Sequence, residues 1–135
     1  MDGARVDPAK ALLYKGMMLS EVPNLAVAVG YTNASWTLKC ELTARYVCRL
    51  LNHMDARGYA WCMPQRRDAF IREEPAIGLT SGYVRRALAI LPKQGTRKPW
   101  RLHQKYVLDT AAVRLGAVED GTMAFGRARL AGQSV

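Results

Sequence analysis

Four residues with metal-binding or nucleophilic chemistry, Cys40, Cys48, His53 and Cys62, fall within 23 positions. Zinc ligands usually come as close pairs set in turns, and no pair here has C-x-x-C spacing. Cys40 and Cys48 stand eight residues apart on one helical pattern, so they read as small hydrophobes and not as a metal centre. Nucleophilic catalysis finds no better support, because G-x-S-x-G is absent. Ser35 sits between a strand pattern and a helix pattern, where capping the helix is its simplest use. His53 and His103 have no partner carboxylate near them in sequence, so neither is assigned as a base, and no catalytic residue is assigned at all. Nucleotide binding by a free-standing unit needs a glycine-rich turn. None of the 11 glycines is separated from another by a single residue, which removes G-x-G-x-x-G.

The remaining chemistry is electrostatic. The 135 residues carry 20 Lys or Arg against 11 Asp or Glu, a net charge of +9. Seven of the basic residues and no acid lie between Ile77 and Val107. Trp100, flanked by Arg97, Lys98, Arg101 and Lys105 with Tyr83 and Tyr106 nearby, combines charge with a stacking surface. No nucleic-acid module signature accompanies it. A solvated face, or one that meets acidic surface on another domain, accounts for the charge more simply. A small basic nucleic-acid-binding or partner-binding protein is therefore the alternative reading.

These residues must be positioned by one ordinary domain. Half of the residues are apolar, which excludes compositional disorder. The apolar runs fall well short of the roughly 18 residues that a spanning helix requires. MDGARVDPAK has no apolar signal region, and three cysteines with no export signal fit reduced thiols, so a cytoplasmic protein is expected.

Val22–Gly58 is the best-organised stretch. Leu25–Val29 (LAVAV), bounded by Pro-Asn and Gly30, predicts a strand covered on both faces. A polar loop follows, and then Leu38, Leu42, Tyr46, Leu50 and Met54 recur every four residues, with Lys39, Glu41, Arg45, Arg49 and Asn52 on the other side. Arg57 and Gly58 supply a helix ending. A strand feeding a helix N-terminus seats an anionic or electron-rich ligand, because the first N–H groups are unpaired there. Beyond it, 59–78 reads as irregular. A second helix is expected from about Thr80 to Pro92, KQGTRKP as a loop, and a third helix from about Gln104 to Leu115. Asp120–Gly121 would turn a hairpin between 117–119 and 122–125, and the last ten residues would fray.

YKGMMLSEVPNLAVAVGYTNASWTLKCELTARYVCRLLNHMD, LTSGYVRRAL and LPKQGTRKPWRLHQKY together resemble the C-terminal part of flavin-containing monooxygenases of the Baeyer–Villiger type, in the ethionamide-monooxygenase-like subgroup. The resemblance covers most of the chain, from about Asp2 to about Phe125. It implies an enzyme that uses FAD, NADPH and O₂ to insert oxygen into ketones or to oxidise sulfur. It implies an α/β fold: the partial edge of a Rossmann-like FAD-binding domain over 1–58, built as strand, loop and long helix, and a mostly helical basic extension over 59–135. LAVAV becomes the last strand of that domain's sheet. Gly30, Thr32, Asn33, Ser35, Trp36 and Thr37 become the residues lying against the flavin. The family's two glycine-rich motifs and its active-site arginine have no counterpart here. Glu21 replaces an expected glycine and Cys40 an expected alanine. Met1 falls in what is mid-domain sequence in the family, so the chain reads as a truncated or split enzyme, inactive alone. Its expected partner is the missing N-terminal part or a second copy of itself.

Overall fold

The computed structural model describes residues 3–30, 35–77, 82–103 and 105–128, and these form a mixed α/β fold of helices and short antiparallel sheets. Strand β1 (Leu13–Tyr14) turns through Lys15–Met17 into β2 (Met18–Leu19). Helix α1 (Trp36–Arg57) follows. Strands β3 (Trp61–Pro64) and β4 (Glu73–Pro75) come next, then α2 (Gly82–Ala87), β5 (Lys93–Gly95), α3 (Tyr106–Leu115) and β6 (Met123–Gly126). β3 pairs with β6, and β4 with β5.

The 22 residues of α1 fulfil the helical spacing. Leu42, Tyr46, Leu50 and Met54 are buried along one stripe, while Leu51 stands out in solvent. Gly58 closes the helix in the left-handed region, φ 67°, and its N–H bonds back to the carbonyls of Met54 and Asp55. Against this stripe pack Tyr14, Met17, Trp100, Val113 and Met123, which form one core with it. That core draws on residues from both sides of position 58.

Several expectations are corrected. Leu25–Val29 is not a covered strand. Its ladder contact is a single bridge between Ala26 and Met18, and Val27 and Val29 are 41% and 42% exposed. A doubly covered strand needs packing on both of its faces, and here the segment meets β2 along one edge only, the Val27 N–H donating to the Met17 carbonyl at 2.7 Å, while residues 26–29 stay exposed. The region after Gly58 is not mostly helical, since β3 to β6 all lie in it. β4 and β5 are three residues each, too short to show a two-residue period, and KQGTRKP holds β5 instead of being all loop. The pair is tied by Lys93 Nζ donating to Glu73 Oε2 at 2.7 Å, and Arg66, just after β3, donates to Glu73 Oε1 at 2.6 Å. Asp120 does make a turn, its Oδ1 accepting from the N–H groups of Thr122 and Met123. Residues 123–126 then pair with β3 and not with 117–119. α3 matches the expected helix and ends at Gly116. Thr80 and the last seven residues lie outside the described residues.

Glu21 lies in the left-handed region at φ 58°. A glycine is suited to that backbone, which gives the expected glycine at this position a physical basis.

Candidate functional site

The N-terminal end of α1 carries the predicted ligand residues. Ser35 occupies the N-cap position, as expected, but its side chain makes no capping hydrogen bond. Trp36 is 61% exposed, and Ser35 and Thr37 are also exposed. Gly30 is brought back against Trp36: a Cβ added at Gly30 would collide with indole ring carbons. Glycine therefore lets the backbone lie on the ring. Thr32 and Asn33 lie outside the described residues. Val27, Val29 and Trp36 are all exposed, and Trp36 stands at the positive pole of a long helix.

Behind this surface lies a polar network that the periodicity did not foresee. Lys39, expected on the solvent side, is buried and donates to Asp109 of α3 at 3.2 Å. It falls seven residues before Tyr46, two turns along the buried stripe, and that spacing is the signal that marks it. Arg49, also placed on the polar side, donates to the carbonyls of Val113 and Gly116 and so completes the C-terminal end of α3. The Tyr14 hydroxyl donates to Asp120 at 2.6 Å and lies 3.2 Å from the Tyr46 hydroxyl. Lys15 pairs with Asp120 at 3.5 Å and stands over the rings of both tyrosines. Burial pushes the Tyr46 hydroxyl up to about 12 and the Tyr14 hydroxyl well above its ordinary value. Both phenols stay protonated at neutral pH and act as hydrogen-bond donors.

Among the described residues no group of three or more His, Cys, Asp or Glu could hold a metal. Cys48 is exposed, Cys40 half-buried and Cys62 buried, all as free thiols. His53, isolated in sequence, meets Glu119 at 2.8 Å. Nothing local signals that pairing, because the two residues are 66 positions apart. Trp100 is corrected most sharply. It is 2% exposed and packs edge-on against Tyr14 at 5.7 Å, so it offers no stacking surface for bases. Among the described residues no helix is long and apolar enough to cross a membrane.

The chain is thus a mixed α/β unit with an aromatic face exposed at a helix N-terminus. It is 48% identical over 127 residues to the FAD-containing monooxygenase EthA of Mycobacterium tuberculosis. It is 43% identical over 130 residues to EthA of Mycolicibacterium smegmatis, and 43% over 128 residues to the "Probable FAD-binding monooxygenase AlmA" of Acinetobacter baylyi. These alignments take in 94–96% of this chain and 26% of each relative. Over nearly its whole length the chain is similar to FAD-containing monooxygenases, and it spans about a quarter of the length of the curated relatives it matches. No protein-family model matches it, and no solved structure does.

Proposed function

We propose that this chain is the C-terminal part of a FAD-dependent monooxygenase and forms one wall of its flavin site. The observation that carries the reading is Gly30 lying against the exposed Trp36 at the start of α1. A planar aromatic surface beside a helix N-terminus complements a flat, electron-rich ring. Gly30, Ser35, Trp36 and Thr37, with Thr32 and Asn33, would hold the flavin edge of FAD. FAD, reduced by NADPH, supplies transfer of one oxygen atom from O₂ to a ketone (the Baeyer–Villiger reaction) or to sulfur. This chain's own residues do three things there. Trp36 and the two valines exclude water from one side, the Gly30 backbone admits close approach, and the α1 macrodipole favours negative charge on the ring.

The glycine-rich phosphate-binding turns belong to the partner in this reading, which is the N-terminal part of the enzyme or, failing that, a second copy of this chain. Leu25–Val29 then becomes the last strand of a Rossmann-like sheet, the partner's strand covering Val27 and Val29. Residues 1–58 form the return into the FAD domain and 59–135 its basic extension, in the cytoplasm. Alone, the chain neither holds FAD tightly nor turns over.

The experiment purifies the chain alone and together with the remaining part of Mycobacterium tuberculosis EthA, and measures flavin absorbance and NADPH oxidation. The chain alone is expected to be colourless and the complex yellow, with Gly30→Ala and Trp36→Ala each lowering its flavin content. Stoichiometric flavin on the isolated chain overturns its inactivity. Full flavin retention by both variants in the complex overturns the wall.

A further inference from the structure

A cavity of about 360 Å³ opens between the β1–β2 turn, the first turns of α1, the 98–103 segment and α3. Four cations line it, Lys15, Lys39, Lys98 and Arg101, against two carboxylates, Asp109 and Asp120. The carboxylates are committed to the inner lysines, Asp109 to Lys39 at 3.2 Å and Asp120 to Lys15 at 3.5 Å. Lys98 and Arg101 have no carboxylate partner among the described residues, and both are exposed at the mouth. Two positive charges are therefore left unbalanced. His103 lines the same cavity, and its Nε2 is buried with no hydrogen-bond partner among the described residues. A buried polar atom left so is destabilising, and a ligand atom that bonds to it would remove that cost. Burial, and after it the neighbouring Lys98, hold this imidazole below its ordinary value, so it is neutral at pH 7.

We propose that this cavity binds a small organic phosphate. Lys98 and Arg101 pair with its oxygens and His103 Nε2–H donates a third bond. A phosphate monoester carries a charge of about −1.5 to −2 at pH 7, which matches the unbalanced pair. A planar guanidinium, an ammonium and an imidazole N–H lining one cavity suit its several acceptor oxygens better than they suit a planar carboxylate. The volume lies at the lower end of small-molecule sites and exceeds the need of a bare phosphate ion. Leu102, Ala112 and Val113 offer apolar wall to the organic group. These residues are distinct from the flavin-facing set at Gly30–Thr37, so the proposal stands or falls independently of the flavin wall.

The test titrates the full chain, in phosphate-free buffer, with phenyl phosphate, inorganic phosphate and a single-stranded oligonucleotide, following the His103 imidazole signals by NMR. Saturable binding of phenyl phosphate, tighter than inorganic phosphate, is expected. It should raise the His103 titration midpoint by about one unit, since a nearby anion favours the charged ring. Lys98→Ala and Arg101→Gln should each weaken binding about tenfold, the equivalent of one charge-assisted hydrogen bond. Their exposed positions leave the melting temperature unchanged, which separates loss of binding from loss of fold. His103 signals unmoved by millimolar phenyl phosphate overturn the proposal. So does binding that survives both substitutions, or binding of the oligonucleotide alone. Inorganic phosphate binding as tightly as phenyl phosphate overturns the organic part of it.

Discussion

Lys39 reaches from the first turn of α1 to Asp109 in the first turn of α3, an ion pair of 3.2 Å between two side chains that are 8% and 12% exposed. Each group has given up water, and removing one would leave the other charge buried. Lys39→Ala is expected to cost about 3–5 kcal/mol in denaturant unfolding. Replacing both partners by Met and Leu together should cost far less, since no charge is then stranded. A double variant as unstable as the single one would show that the pair is not what joins these helices.

Glu21 illustrates how a local backbone requirement outweighs a side chain's own contacts. Its φ of 58° costs a residue with a Cβ about 1–2 kcal/mol. Against that, its carboxylate accepts from the Arg66 N–H at 2.9 Å. Glu21→Ala loses that bond and keeps the strain, whereas Glu21→Gly loses the bond and relieves it. The glycine variant should therefore be more stable than the alanine variant by about 1 kcal/mol, read from their urea midpoints. An alanine variant equal to or more stable than the glycine one would exclude the strain.

The buried tyrosines set the alkaline limit of the fold. Tyr46 moves from 10.0 up to about 12, burial being the main cause, and Tyr14 moves in the same direction. A folded-state value above the unfolded one means that the native protein keeps a proton the unfolded chain has lost. That stability is complete below about pH 10 and is lost as pH rises through about 12. Melting temperature should fall steeply in this window, and Tyr46→Phe should flatten the fall. Tyrosinate absorbance from all six tyrosines near pH 10, with the fold intact, would refute it.

Helix α1, its glycine ending, α3 and the turn at Asp120 were legible in the sequence because each depends on residues a few positions apart. A four-residue apolar spacing, a Gly after the last turn and an Asp before a Gly carry their physics locally. Which surfaces meet is a different matter. The burial of Lys39 against Asp109, the meeting of His53 with Glu119 and the pairing of β3 with β6 join residues more than 50 positions apart, which no local window contains. Trp100 reads in sequence as a stacking residue among cations, and the chain instead folds it onto Tyr14. Leu25–Val29 marks the boundary between the two kinds of knowledge. Composition alone gives LAVAV strand propensity, but a strand exists only where neighbours bond to it along its length, and the tertiary structure gives this segment a single bridge to Met18 and leaves Val27 and Val29 exposed.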